Sequence, residues 1–168
     1  MTATDRTADP FERFKADMKA RRMNTGVVML IEDSADDVTL TLRALERNNI
    51  RNEVVVAHDG EQALDRLLPA DGTAPLRPAL ILLDVNLPKV SGLDVLRRLR
   101  ADPRTQTVPV IVLTTSDEER DIVESYRLGA NSYVQKPVDF SEFQEAARLL
   151  GMYWLLVNMS PAVQPRAG

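Results

Sequence analysis

The sequence predicts an α/β domain built around a parallel β-sheet that helices cover on both faces. Two patterns lead to this prediction. From Gly26 onwards, strand-like and helix-like segments alternate strictly and give five consecutive βα units. The segments 27–31 and 81–83 are also apolar without interruption, which is typical of strands buried on both faces. Because crossovers between parallel strands are right-handed, few windings of such a sheet remain.

Local signals mark each predicted element. Predicted strands cover residues 27–31, 53–57, 81–83, 108–114 and 131–135. Predicted helices lie between Ser34 and Asn48, over 60–68, 91–101 and 117–128, and from Asp139 onwards. Ser34 and Asp37 have the spacing of a capping box at the start of the first helix. Pro88 and Gly92 break the chain between the third strand and its helix.

Composition excludes several classes of function. The chain has 168 residues, no cysteine and a net charge of −4. We therefore expect one domain with short appendages, neither disulfides nor thiolate chemistry, and a cytoplasmic location. No Lys/Arg cluster is interleaved with aromatic residues, so we expect no nucleic-acid partner. No stretch is long enough to span a bilayer, and we expect no membrane association.

The N-terminal residues 1–25 form an extension ahead of the domain. Phe11, Phe14 and Met18 recur at helical spacing and predict a short amphipathic helix. Such a helix either packs on its own domain or docks on another subunit.

The last helix is extended and carries more apolar residues than one domain can cover. Leu149 to Met159 contains no charged residue, yet this run falls short of a membrane span. We therefore expect residues 151–168, the end of this helix and the tail, to contribute a homodimer contact. The alternative is a terminal helix that bends back onto the core. The residues predicted at the contact are Phe143, Leu150, Tyr153, Trp154 and Val157.

Four of the predicted strands terminate in polar residues. These residues are Glu32 with Asp33, Asp84, Thr114 and Lys136. The carboxyl ends of parallel strands share one edge of a sheet, so these side chains are expected to converge there. Clustered carboxylates favour a hard cation such as Mg²⁺, which would also neutralise an incoming phosphoryl group. Asp84 could then attack phosphorus as a nucleophile, and Thr114 and Lys136 could contact the phosphoryl oxygens.

Each of these residues alone has an ordinary structural explanation. Acids cap helices, threonines end strands, and Lys136-Pro137 can simply mark a turn. The bond before Pro137 can be cis or trans. The only histidine, His58, is better explained as a strand-end residue than as a catalyst.

Together these residues resemble the receiver domains of two-component response regulators over residues 26–150. The resemblance depends on the acidic pair Glu32-Asp33, the pattern Asp84-Val85-Asn86-Leu87-Pro88 with Gly92, the hydroxyl of Thr114, and Tyr133 with Lys136-Pro137. It implies a doubly wound, flavodoxin-like sheet of five strands in the order 2-1-3-4-5. It also implies that Asp84 accepts a phosphoryl group from a sensor histidine kinase. Such a protein is not an enzyme in the usual sense, although slow hydrolysis of its own acyl phosphate is expected.

The resemblance further assigns a role to each site residue. Asp33 and Asp84 would bind Mg²⁺ through their side chains, Asn86 through its backbone carbonyl and Glu32 through water. Lys136 would stabilise the phosphoryl group. Thr114 and Tyr133 would form a switch that alters the surface of the last βα elements. Thr115 is a competing hydroxyl, but strand alternation from Val110 and Val112 favours Thr114.

A narrower resemblance is to the stand-alone regulators that partner bacterial phytochromes. It depends on the segments 32–37, 112–116 and 153–157. In that group the last helix is implicated in homodimers, and the kinase would be a bacteriophytochrome. We expect no effector domain to follow, so the signal is expected to leave through a partner, through dimer exchange or by phosphate flow.

Three other readings compete with this one. A flavodoxin needs a hydroxyl- and glycine-rich loop after the first strand, where this chain has acids. A haloacid-dehalogenase-type phosphatase needs an acid two residues after its nucleophile, where this chain has Asn86. The third is a receiver-like dimeric scaffold that works without phosphorylation, and the full set of acids, hydroxyl and lysine argues against it.

Overall fold

The computed structural model describes residues 9–10, 12–14, 16, 26–159 and 161. Five parallel strands form one sheet in the order β2-β1-β3-β4-β5. The strands are β1 (Val28–Ile31), β2 (Val54–Ala57), β3 (Leu80–Leu83), β4 (Val110–Thr114) and β5 (Ser132–Gln135). The helices are α1 (Ala35–Arg47), α2 (Gly60–Leu67), α3 (Gly92–Ala101), α4 (Glu119–Arg127) and α5 (Phe140–Gly151), and α5 continues as a π-helical segment over Met152–Val157. The predicted fold class and strand order are confirmed.

The central strands are buried on both faces, as their unbroken apolar runs require. Every residue of β1, β3 and β4 is buried, whereas β2 and β5 at the edges are mostly half-buried. Alternate residues of β1 point to opposite faces of the sheet. Met29 and Ile31 pack towards α2 and α3, while Val28 and Leu30 pack on the face that α1 and α5 cover. Helices on both faces therefore enclose two apolar layers around one sheet.

Side-chain caps fix where four helices begin. Ser34, Asp59, Ser91 and Asp139 each accept a hydrogen bond from a backbone N–H in the first turn of the helix that follows. Each such cap contributes about 1 kcal/mol. Because three of these helices follow the strands that carry the polar residues, the caps also fix the loops at that edge of the sheet.

The last helix turns its apolar residues partly inward, and this changes the predicted contact. Phe143 is only 4% exposed and Leu155 is also buried, so both belong to the chain's own core. Phe143 is therefore unavailable to a partner, which corrects its predicted place at the dimer contact. Leu150 and Trp154 are half-buried against the same core, and Tyr153 is 52% exposed.

Several other predictions can be compared with the described residues. In the N-terminal extension Phe14 is 45% exposed, whereas Phe11 and Met18 lie outside the described residues. None of the described peptide bonds is cis, so Lys136–Pro137 is trans. Among the described helices, none is long and apolar enough to cross a membrane. The division into an extension, a domain over 26–150 and a dimer-forming tail stays a prediction.

Candidate functional site

The sheet's own hydrogen bonds hold the polar residues at its carboxyl edge. The N–H of Glu32 donates to the carbonyl of Ala57 at 2.9 Å, and the N–H of Asp84 donates to the carbonyl of Ile31 at 3.1 Å. The N–H of Lys136 donates to the carbonyl of Thr114 at 2.7 Å. These bonds continue the strand ladders by one residue, so the backbone of each functional residue is fixed by the sheet.

Asp84 lies at the centre of the site and is only 6% exposed. Its Oδ1 accepts hydrogen bonds from the Asn86 N–H at 3.0 Å and from the Thr114 hydroxyl at 2.7 Å. Its Oδ2 lies 3.3 Å from Lys136 Nζ. One carboxylate is thus held by the loop that follows β3, by the end of β4 and by the residue after β5.

Lys136 is buried among carboxylates. Its ammonium donates to Glu32 Oε2, to Asp37 Oδ2 at 2.9 Å and to Asp84 Oδ2 at 3.3 Å. Burial alone would lower the pKa of Lys136, but the hydrogen bonds to Glu32 and Asp37 and the charge of Asp84 outweigh it and raise that pKa. Lys136 therefore stays charged and supplies the positive charge that balances the acids.

Glu32 is strongly perturbed by its position. Burial is the largest cause and, with the nearby charge of Asp84, it raises the pKa of Glu32 to about 7, although the bonds from Lys136 and the Ser34 N–H act in the opposite direction. A carboxylate held in this way gains from a further positive charge in the site.

Three carboxylates are placed where they can hold a metal ion. Oxygen atoms of Glu32, Asp33 and Asp84 all lie within 4.8 Å of one another, and Asp33 is exposed while the other two are buried. An all-oxygen set with one exposed member suits a hard divalent cation that keeps part of its water shell. Asn86 follows on the same loop and is exposed, and its N–H to Asp84 is the contact described for it. Coordination by its carbonyl stays a prediction.

The hydroxyl and the aromatic residue are linked through the loop after β4. Thr114 is fully buried against Asp84, whereas Thr115 is exposed. The Tyr133 hydroxyl donates to the backbone carbonyl of Ser116 at 2.8 Å, and burial raises the pKa of Tyr133, so the phenol stays protonated. The Ser116 hydroxyl in turn donates to Asp121 in the first turn of α4 at 2.7 Å.

Sequence reasoning missed the role of Asp37. We interpreted it only as part of a capping box, and its backbone N–H does bond the Ser34 hydroxyl at 3.3 Å. Its side chain, however, reaches back to Lys136. A helical side chain leans towards the N-terminus of its helix, so an acid in the first turn after β1 can reach the edge of the sheet, and this signal was available in the sequence. His58 follows β2 and is exposed.

Comparison with known proteins agrees with this geometry. The family model for the response regulator receiver domain matches residues 28–148. The response regulator Rcp1 of Synechocystis is 36% identical over 139 residues, which cover 81% of this chain and 93% of that protein. Its Mn²⁺-bound structure has a TM-score of 0.73 at 33% identity and covers 81% of this chain and 99% of that one.

Two further solved structures are similar. The phosphorylated cyanobacterial phytochrome response regulator RcpA has a TM-score of 0.73 at 36% identity and covers 81% of this chain and 98% of its own. The bacteriophytochrome response regulator RtBRR is 44% identical, with a TM-score of 0.62 and coverage of 81% and 84%. From the extent of the family match and the similarity to Rcp1, the chain belongs to the response regulator receiver domains.

Proposed function

We propose that this chain accepts a phosphoryl group on Asp84 from a sensor histidine kinase, in a reaction that needs Mg²⁺. The observation that carries the proposal is the convergence on one buried carboxylate of an ammonium, a hydroxyl and two further acids. Lys136 and Thr114 contact Asp84 directly, and Glu32 and Asp33 present oxygens within 4.8 Å. A set of groups with these charges suits phosphoryl transfer, in which positioning and charge compensation supply most of the catalysis.

The chemistry follows from the charges. An oxygen of Asp84 would attack phosphorus while the bond from phosphorus to the kinase's histidine nitrogen breaks, and the imidazole leaves with the electron pair of that bond. Mg²⁺ held by Glu32, Asp33 and Asp84 would supply positive charge to the phosphoryl oxygens. Lys136 and Thr114 would donate to those oxygens. Slow attack of water on the same phosphorus would return Asp84 and release inorganic phosphate.

The signal would leave through the elements next to Thr114. A Thr114 hydroxyl drawn towards a phosphoryl group would pull on the loop that carries Ser116, and Tyr133 and α4 both bond to Ser116. The surface of α4, β5 and α5 would change as a result.

A bacteriophytochrome is the proposed kinase. Relatives that cover most of this chain include a phytochrome response regulator and a bacteriophytochrome response regulator, which supports such a partner. Phosphotransfer from a panel of purified histidine kinases would test it, and preferential transfer from a kinase other than a phytochrome would reject it.

Intact-protein mass spectrometry tests the phosphoacceptor. Treatment with acetyl phosphate and Mg²⁺ should add the mass of one phosphoryl group to the wild type. Asp84→Asn should stay unmodified with an unchanged circular dichroism spectrum, and a chelator should block modification of the wild type. An unmodified wild type would instead favour the phosphorylation-independent scaffold.

We also propose that the chain forms a homodimer through the end of its last helix. Leu149 is 48% and Tyr153 52% exposed on this segment, and apolar residues exposed together favour association. Tyr153→Glu should give monomers in sedimentation velocity, whereas Glu145→Gln on the same helix, an exposed position, should not. A wild type that sediments as a monomer would overturn this part alone.

A further inference from the structure

Lys136 divides its hydrogen bonds unequally between three carboxylates. An ammonium has three N–H donors, and here Glu32, Asp37 and Asp84 accept all of them. The contact with Asp84 is the longest of the three at 3.3 Å, whereas the contact with Asp37 is 2.9 Å. In this arrangement Lys136 is held mainly by acids other than the proposed phosphoacceptor.

Asp37 differs from the other two acceptors in its surroundings. Its side chain is 30% exposed, compared with 2% for Glu32 and 7% for Asp84. It is also absent from the three carboxylates that can share a metal ion. A cation bound by Glu32, Asp33 and Asp84 would therefore leave Asp37 as an acceptor for Lys136 alone.

The backbone of Asp37 is anchored independently of Lys136. Its N–H donates to the Ser34 cap, and its carbonyl accepts from the Thr41 hydroxyl at 2.8 Å. The carboxylate thus projects from a fixed turn of α1, and a change in its charge is expected to alter the interactions of Lys136 more than the fold.

From these contacts we infer that Asp37 is a positioning residue that competes with the phosphoryl group for Lys136. The inference rests on the proposed function, in which the Lys136 ammonium donates to a phosphoryl oxygen on Asp84. The donor that now reaches Asp84 at 3.3 Å would turn to that oxygen, while the shorter bond to Asp37 at 2.9 Å draws the ammonium away from it. Asp37 therefore shortens the lifetime of the acyl phosphate by holding back the charge that stabilises it.

The variant Asp37→Asn removes the charge and keeps the shape. The control is Asp36→Asn, which removes the same charge from the same turn at an exposed position, with no contact to Lys136 among the described hydrogen bonds and ion pairs. Both changes make the site less negative at long range, so the difference between them isolates the direct contact. Asp37→Glu restores the charge.

Two measurements report the competition. Beryllofluoride with Mg²⁺ is a stand-in for the phosphoryl group, and Trp154 fluorescence or NMR gives its affinity. Relative to Asp36→Asn, Asp37→Asn should bind beryllofluoride about fivefold more tightly and hydrolyse its acyl phosphate about fivefold more slowly, as expected for the loss of one partly exposed ion pair. Asp37→Glu should return both values to near those of the wild type.

A double-mutant cycle separates this role from a structural one. When Lys136 is replaced by Ala, the advantage of Asp37→Asn over Asp36→Asn should disappear, because the competition acts only through the ammonium. The inference would be overturned if Asp37→Asn kept its advantage over Asp36→Asn in the Lys136→Ala background. It would also be overturned if, with Lys136 present, the two variants behaved alike or Asp37→Asn bound beryllofluoride more weakly than Asp36→Asn. Should Asp37→Asn fail to fold, Asp37→Ser removes the same carboxylate and carries the same expectations.

The two proposals fail in different ways. If the wild type takes up neither beryllofluoride nor a phosphoryl group, the proposed function fails and the role of Asp37 with it. If the wild type takes up both and Asp37→Asn matches Asp36→Asn, only the role of Asp37 is rejected.

Discussion

Gly92 ties the packing of α3 to the position of Asp84, and its replacement by Ala should damage both. A Cβ at residue 92 would lie 2.1 Å from the carbonyl oxygen of Asp84 and 2.6 Å from the Cα of Val85. Real Cβ contacts essentially never fall below 3.0 Å, so the loop after β3 and the start of α3 must separate by about 1 Å.

The expected losses follow from that displacement. Overpacking against backbone, which cannot rotate away, should cost about 2 kcal/mol of unfolding free energy. The same shift moves the Asp84 carboxylate relative to Lys136 and Thr114, and a misplacement of this size typically slows a reaction by about 100-fold. Gly92→Ala should therefore fold but take up a phosphoryl group from acetyl phosphate about 100-fold more slowly than the wild type.

Gly72→Ala is the matched control. Gly72 has φ of +81° with nothing within 4 Å of an added Cβ, so Ala there meets backbone strain of about 1 kcal/mol but no clash. Urea unfolding gives the stability of each variant, and mass spectrometry gives the rate of phosphorylation. Gly72→Ala should lose stability and keep the wild-type rate. The reasoning is refuted if Gly92→Ala also keeps that rate, or is no less stable than Gly72→Ala.

Three further predictions concern other contacts. Lys136→Ala should still accept a phosphoryl group, but slowly, and its phosphorylation should not change the NMR signals of α4. A normal change in those signals would show that signal transmission does not need Lys136. Arg100→Met should lose about 2 kcal/mol of unfolding free energy in urea relative to Arg98→Met, because Arg100 donates to five acceptors in the loop before β4 and the turn before β5; equal stabilities would contradict this. Tyr133→Phe should lose about 1 kcal/mol of unfolding free energy, because it loses the hydrogen bond to Ser116. Urea unfolding measures this loss, and an unchanged midpoint would show that the bond contributes nothing.

The fold was predictable because its signals are local. The buried strands β1 and β3 are unbroken apolar runs, and Ser34, Ser91 and Asp139 stand at the positions where caps are expected. Most predicted boundaries fell within two residues of those observed, and β4 began at Val110 rather than 108. Neither signal depends on contacts between distant residues, so one sequence suffices to find them.

The site was predictable only in part, because its residues come together through the sheet. Parallel strands carry their ends to one edge, which predicted the neighbourhood of Asp84, Thr114 and Lys136. Asp37 lies in the first turn of α1 rather than at a strand end, and its contact with Lys136 spans 99 residues. Which of several acids an ammonium contacts depends on side-chain reach in three dimensions, and a pattern of strand ends does not contain that information.

The last helix carries apolar residues on more than one side, so its sequence did not show which side faces the core. In an α-helix, residues spaced by three and four share a side, and the residues predicted at the contact were Phe143, Leu150, Tyr153, Trp154 and Val157. The structure buries residues at a spacing of four along this helix, at Phe143, Ala147, Gly151 and Leu155, and Phe143 therefore faces the core rather than a partner. Ile50 packs where a side chain at Gly151 would stand, so this helix lies close to the end of α1. A spacing of four brings Leu149 and Tyr153 together on the opposite side, both about half exposed, which is why a substitution at Tyr153 tests association while one at Phe143 would test only the core.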